Sequence, residues 1–389
     1  MDNSSVEATP QPLPEPYEQC SQYRHWKHSA TELQHLRQKV NLETAARVRK
    51  AVAEQQELTG IPAPEPVCIT WEEQLQYCQY YEERIRSYCK MLQFDRFVEA
   101  TALAYFKRFY LRNTVMEYDP KLYLCVPISR ALRSLSSAPL STIQELSQTL
   151  TLLATSLSHS MTCLFIATKV ESVHISLATF LEKIPKSPSP DMMIELEFSL
   201  SKGIRYEYMV HHPFWPLHGF LLDIQSYIAS THPRHAHEHF FQKLQRCYSR
   251  AEQFASLAIL TDLTFTHMPS QIGLGCLLAA ARERDFEREL EQYLASRFHA
   301  KLDELVKLRI ALDAVADAVV ARSTKPPIAR EAAAAVFKKL QECLNPEFDP
   351  ESALWKHRRK EEEIAQQAHV AEKRKAEAER QATMEASVF

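Results

Sequence analysis

The sequence predicts an all-α protein, and three observations carry that expectation. The chain has only 5 glycines in 389 residues and contains neither Asn-Gly nor Asp-Gly, so it lacks the residues that tight hairpin turns of a sheet-rich fold require. Apolar residues recur three and four positions apart over long stretches. The stretches between them are proline-rich breaks such as Gly60-IPAPEP and Lys183-IPKSPSP, where a helix cannot continue. This length suffices for two domains or repeats with ample core.

Taken in order, residues 1–28 are expected to be a disordered segment, since prolines 10, 12, 14 and 16 favour extended chain. A charged helix is expected over 29–60, capped by Ser29, with Leu33, Leu36, Val40 and Val48 as a thin apolar stripe suited to docking on a surface. Thr70 and Glu73 have capping-box spacing and open a helix whose apolar positions are Leu75, Cys78, Tyr81, Ile85 and Tyr88. The next helix, about 98–112, presents a wide face of Val98, Ala102, Tyr105, Phe106 and Phe109. Further helices are expected near 161–172, 175–183 and 191–205, followed by the extended stretch from Tyr206. A second series follows near 214–228, 238–259, 269–282, 286–294 and 299–319. Beyond the Lys-Pro-Pro at 325–327, residues 328–389 are expected to form a C-terminal helix and charged tail, with Ala332-AAAVFKKLQECL the better apolar face.

The third helix of each series is rich in small residues, TCLFIAT in one and QIGLGCLLAAA in the other. A central helix surrounded by neighbours needs small residues at its contacts. The two series therefore read as repeats, one over 70–208 and one over 209–320.

Composition excludes several classes of function. A net charge of -3 provides no global field for nucleic acid or anionic membrane, and no stretch is apolar enough to span a bilayer. The 9 cysteines are widely spaced without C-x-x-C, which reads as reduced thiols and not as a disulfide framework or zinc site. His235 and His239 are spaced i, i+4, a metal-ligand spacing, but no trio of cysteines or carboxylates accompanies them, so no metal and no cofactor are expected. No phosphate loop, G-x-S-x-G or H-E-x-x-H occurs, and adjacent acids such as Glu82-Glu83 read as solvated faces. Tyr105-FKRFYL alternates aromatic and basic residues, but at helical spacing its aromatics are core, with Lys107 and Arg108 on the rim.

Six segments, in order, resemble the cyclins, and most closely those of the cyclin H kind. They are Ser21-QYRHWKHS, Tyr77-CQYYEERIRSYC, Ala102-LAYFKRFYLRNTVMEYDP, Cys163-LFIATKVE, Tyr206-EYMVHHPFWPLHGFLLD and Met268-PSQIGLGCLLAAA. The resemblance implies tandem five-helix cyclin boxes flanked by N- and C-terminal helices. It implies a non-catalytic regulatory subunit that activates a cyclin-dependent kinase 7-type catalytic subunit. Further partners implied are the RING-containing assembly factor of the CDK-activating kinase and the core of transcription factor IIH, in the nucleus. No membrane contact and no direct nucleic-acid contact are implied. Lys169 and Glu197 match the pair that cyclins direct at the kinase; Lys107, Arg108, Arg24 and Trp26 complete the implied kinase-binding set. Tyr80-YEERI stands where cell-cycle cyclins carry their substrate-docking MRAIL patch, so recruitment of substrates by that route is not expected. Another transcriptional cyclin, of the C, K or T kind, and a helical adaptor resembling transcription factor IIB are the alternatives; the adaptor requires salt-sensitive DNA binding without a kinase.

Residues 125–160 depart from the family. They hold nine serines and eight leucines but only Arg130, Arg133 and Glu145 as charges, and they interrupt what reads as one helix joining Pro120-KLYL to Met161. Two readings stand: an intron-derived stretch retained in frame, or a surface loop that leaves and re-enters at the helix start.

Overall fold

The computed structural model describes residues 17–62, 64–120, 158–184, 190–232, 234–297, 302–349 and 352–386, and among these every regular element is helical. In chain order the α-helices are α1 Ser21–Trp26, α2 Ala30–Thr59, α3 Trp71–Met91, α4 Arg96–Arg112, α5 Ser158–Val170, α6 Leu177–Glu182, α7 Pro190–Gly203 and α8 Phe214–Thr231. They continue with α9 Arg234–Ala258, α10 Leu263–Thr266, α11 Pro269–Glu283, α12 Glu287–Arg297, α13 Leu302–Thr324, α14 Arg330–Gln341 and α15 Ala353–Ala386, with a 3-10 turn at Pro346–Phe348. The all-α expectation holds. Residues 21–26 of the segment expected to be disordered are instead helical, because Gln22 and Trp26 find buried partners there.

The chain forms two compact units. One comprises residues 1–36, 79–112 and 159–328; the other comprises 37–78, 113–158 and 329–389. In the second unit, Arg47 of α2 holds Glu117 (Nε–Oε1 2.8 Å), and Asn41 donates to the Ile69 carbonyl at 3.1 Å. The backbone N–H of Asn345 reaches the Met116 carbonyl at 2.9 Å. Leu354 buries the first turn of α15, and Arg358 joins Glu54 and Glu347, each at 2.7 Å; beyond this the described side chains of α15 face solvent. The tail is therefore anchored only through its first turns.

The first unit holds nearly all of both helix series. In the second series α11 packs against α8, α9 and α13. A Cβ on Gly275 would stand 2.5 Å from Val315 Cγ1 and one on Gly273 3.0 Å from the Pro213 carbonyl, so small residues there allow close helix approach. In the first series, positions 159–168 of α5 are all buried, again a central helix. The start of α5 corrects the anticipated boundary at 160. His159 and Ser160 are buried inside the helix, with the His159 ring 5.3 Å from that of Phe109. The remainder of the interrupting stretch, 125–157, lies outside the described residues.

Caps follow the sequence closely. Ser29 N–H donates to Glu32 Oε2 (2.8 Å) and Glu32 N–H to Ser29 Oγ (3.2 Å). Thr70 and Glu73 form the same reciprocal box at 3.0 and 3.3 Å. Helix ends are less conventional. Gln93, Ser172, Arg205 and Asp285 all have φ between +53° and +62° at the ends of α3, α5, α7 and α11. Beyond each, a backbone bond reaches back five residues: Phe94 to Cys89, Val173 to Thr168, Tyr206 to Ser201 and Phe286 to Ala281. This is the Schellman arrangement, usually closed by glycine. A chain poor in glycine closes it with side chains that the left-handed region disfavours by ~1–2 kcal/mol each.

Two predictions follow from this packing. Gly275→Ala is expected to destabilise by ~1–3 kcal/mol through overpacking against Val315, whereas Gly219→Ala, with open space around its Cβ, should gain up to ~1 kcal/mol of helix propensity. Opposite shifts in urea midpoint between the two variants check this. Asp285→Gly should raise stability by about 1 kcal/mol by relieving its left-handed backbone, read as a higher thermal midpoint.

Candidate functional site

The residues singled out in the sequence divide into an inward group and an outward group. The inward group surrounds Arg108 on α4, which is 3% exposed. Its Nη1 donates to the carbonyls of Glu207 (3.0 Å) and Met209 (3.3 Å), and its Nη2 donates to Gln22 Oε1 at 3.3 Å. The Trp26 ring lies 5.2 Å from the guanidinium, and Trp26 Nε1 donates to Glu207 Oε2 at 2.6 Å. Gln22 completes the set by accepting from His211 N–H (2.7 Å) and donating to its carbonyl (3.2 Å). Burial pushes the Arg108 guanidinium down to about 10, a cation kept in place by acceptors on every side.

Lys107 is also turned inward. Its Nζ donates to the Thr261 carbonyl at 2.7 Å and pairs with buried Glu82 at 3.4 Å. The rim position expected for Lys107 and Arg108, and the solvated face expected for Glu82, are therefore corrected. Periodicity placed the aromatics in the core correctly, but the next turns of α4 face the 204–213 junction and α10 instead of water. Trp26 is 2% exposed in a cluster with Leu33, Leu111 and Phe265. Of the Ser21-QYRHWKHS segment, Arg24 points outward. Lys107, Arg108 and Trp26 thus hold the scaffold together. A cavity of about 30 Å³ beside them, lined in part by Ala104, His212 and Pro269, has room for about one water molecule and is no ligand pocket.

The outward group is built on α5 and α7. Lys169 stands in the last turn of α5, where the helix dipole favours a cation. Its Nζ meets Glu197 Oε1 of α7 at 2.6 Å and lies 4.5 Å from the Phe165 ring centroid. The pair is partly open, with the Lys169 side chain 47% exposed. Two residues after Lys169, Glu171 accepts from Thr101 Oγ1 at 2.5 Å, and Thr101 also meets His212 Nε2 at 2.8 Å. The His212 hydrogen bond, ahead of that from Thr101, holds the Glu171 carboxyl below the usual carboxylate range. This triad fixes the exit of α5 against α4 and the start of α8.

Around the pair the surface is apolar. On α7, Ile194 and Phe198 are 57% and 66% exposed, and Val170 beside Lys169 is 40% exposed. Ile194, Glu197 and Phe198 share one face of α7 by spacing, while Met193, Leu196 and Leu200 occupy the buried face. Sequence reasoning found Lys169 and Glu197 but missed Ile194 and Phe198. The available signal was that α7 carries apolar residues on two faces, one more than a core helix needs.

The outward group is thus an exposed lysine–carboxylate pair ringed by apolar side chains on an all-helical scaffold. Known proteins resemble the chain as follows. The cyclin C-terminal domain family matches residues 212–343. Cyclin mcs2 of Schizosaccharomyces pombe is 29% identical over 350 residues, covering 89% of this chain and 91% of its own. Cyclin-H of Xenopus laevis is 25% identical over 368 residues, covering 93% and 96%. Among solved structures, a chain of the CAK complex from Chaetomium thermophilum superposes with a TM-score of 0.64 over 90% of this chain and 94% of that one at 23% identity, a likeness of fold. A chain of the yeast TFIIK (Kin28/Ccl1/Tfb3) complex aligns with a TM-score of 0.51 at 25% identity, covering 77% of this chain and all of that one. The curated relatives are thus named cyclins, and the helical architecture described above fits a cyclin fold.

The inward and outward groups respond oppositely to truncation. Arg108→Ala is expected to cost more than ~2 kcal/mol, because buried carbonyls and Gln22 lose their donor, while Arg24→Ala should stay within ~0.5 kcal/mol. Chemical denaturation of the two variants checks this.

Proposed function

We propose that this chain is a cyclin, the regulatory subunit of a cyclin-dependent kinase 7-type kinase, and that the α5–α7 face is where the kinase docks. The observation that carries this reading is the Lys169–Glu197 pair set among exposed Val170, Ile194 and Phe198. Glu197 occupies one direction of the ammonium group, which leaves donors for exposed backbone carbonyls of a partner. The apolar residues around it supply area to bury.

In this reading residues 70–208 are the first cyclin box and 209–320 the second. Activation follows because cyclin contacts hold the kinase C-helix inward, keeping the kinase's own lysine–glutamate pair assembled. The chain itself performs no chemistry. A RING-containing assembly factor and the core of transcription factor IIH complete the proposed assembly. Its nuclear outputs are phosphorylation of CDK activation loops and of the RNA polymerase II C-terminal repeats. The naming of the yeast neighbour as a three-protein assembly, Kin28/Ccl1/Tfb3, supports this reading.

The test is co-expression with a kinase 7-type subunit, reading complex affinity and phosphorylation of an activation-loop substrate. Lys169→Ala is expected to weaken the complex by ~2–5 kcal/mol, as for a truncated interfacial charge, with thermal stability shifted by no more than the ~0–1 kcal/mol of a surface ion pair. Phe198→Ala should lower affinity in the same direction without lowering the melting temperature. Equal affinity of Lys169→Ala and wild type would overturn the docking face. The same assay on a chain lacking 125–157, with 158–160 retained in α5, separates the two readings of that stretch. Activity of the shortened chain alone marks it as intron-derived, and activity of both marks it as a surface loop.

A further inference from the structure

A surface depression of about 490 Å³ lies along the solvent side of α9, and every charged side chain in its lining is an arginine. The spacing of α9 produces this face. Leu244, Cys247, Ala251, Phe254 and Ala258 recur three and four apart and are buried. Gln242, Arg246, Ser249 and Gln253 recur at the same spacing on the exposed side. Arg284, the residue at the C-terminal cap of α11, is the part of the lining that comes from a second helix. All of these residues belong to the first compact unit.

The arginines of the depression are held in different ways. Arg250 is committed to the protein. Its Nε and Nη2 donate to Glu283 at 2.7 and 3.1 Å, and its Nη1 donates to Gln253 Oε1 at 2.9 Å. The guanidinium also lies 4.3 Å from the Phe254 ring centroid. The bond from Arg250 holds the Glu283 carboxyl below the usual carboxylate range, so the two charges cancel. Arg246 and Arg284 are exposed, and among the described residues no hydrogen bond or ion pair holds either guanidinium. Gln242 donates to Glu238 at 2.7 Å, but that carboxylate is outside the lining. The depression therefore presents two uncompensated cations.

We propose that this depression binds the phosphate group of a phosphorylated serine or threonine on a partner protein. A guanidinium fork pairs with two phosphate oxygens at once, and Arg246 and Arg284 bring such forks from two different helices. Together they match the charge of about −2 that a phosphomonoester carries near neutral pH. Gln245 and Ser249, one turn apart in the lining, add neutral donors for the remaining oxygens. The volume exceeds that of a bare phosphate and leaves room for the backbone on either side of the modified residue. A nucleic-acid strand needs a row of basic contacts, and a single depression on a chain of net charge -3 does not supply one. The site shares no residue with the α5–α7 face and does not depend on the kinase reading.

The test uses the full chain without a kinase, so that its outcome is separate from that of the docking face. Fluorescent peptide pools with randomised flanks carry phosphoserine, phosphothreonine, serine or glutamate at the centre, and binding is read as anisotropy. Inorganic phosphate and a single-stranded oligonucleotide are run beside them. The phosphorylated pools should bind, with inorganic phosphate competing and the serine and glutamate pools weaker by about tenfold or more, as for lost charge-assisted bonds. Arg246→Gln and Arg284→Gln should each lower affinity for the phosphorylated pools about tenfold, with an unchanged melting temperature. Arg288→Gln, an exposed arginine outside the lining, should leave binding as it was. No binding of the phosphorylated pools overturns the proposal, as does equal binding of the serine or glutamate pools or full binding by the double variant. Binding of inorganic phosphate without the peptides means an adventitious ion only and overturns it too. Preference for the oligonucleotide overturns it in favour of nucleic acid.

Discussion

The architecture of the first unit depends on one buried cation. Between α7 and α8 the chain runs from 204 to 213 without regular structure, and its backbone groups need partners that no helix supplies. Arg108 brings a fork of donors to the Glu207 and Met209 carbonyls, and Gln22 takes up the His211 peptide from the other side. Tyr105 adds its hydroxyl to the Tyr208 carbonyl at 2.6 Å. The exit of α7 and the start of α8 are thereby referred to α4. Since α7 carries Glu197, the geometry of the outward face is inherited from a charge that never reaches the surface.

The protein uses charge in two distinct ways. Arg108 and the Lys107–Glu82 pair are desolvated, so removing one member leaves an uncompensated buried group, which costs several kcal/mol. Such residues hold the fold together. Lys169 and Glu197 are partly solvated, and an exposed pair contributes only ~0–1 kcal/mol to stability. Neither the fold nor its solubility requires Ile194 and Phe198 to stand beside that pair. A large apolar residue on the solvent side of a helix is commonplace alone, but several around one ion pair support the proposed docking face.

Glycine scarcity, the first clue to an all-helical chain, has a structural counterpart at the helix ends. Four of them close through Gln93, Ser172, Arg205 and Asp285 in left-handed backbone. The turn after Lys169 is one such closure, with Val173 N–H returning to the Thr168 carbonyl at 2.8 Å. It lets Glu171 swing back to Thr101 while Lys169 stays at the surface. The caps at Ser29 and Thr70, by contrast, rely on the usual side chains, and for that reason both cap residues were legible directly, the reciprocal partner Glu73 with them.

What the sequence by itself determined was local or periodic: the helical class, the order and approximate limits of the helices, the Ser29 cap and the Thr70 capping box, and the small-residue helices that each series surrounds. These follow from hydrogen bonds within a turn and from spacing along one helix. The Lys169–Glu197 pair was legible through resemblance to the cyclins, not through periodicity. Only the tertiary structure decided which cations face inward. Lys107 and Arg108 read as rim residues because α4 alone shows no more than its aromatic face. The junction carbonyls and Glu82 that receive them come from other parts of the chain. The same holds for Trp26 and Phe198. Whether a side chain is solvated, docked or paired depends on what the fold places opposite it, and no spacing along a single helix contains that.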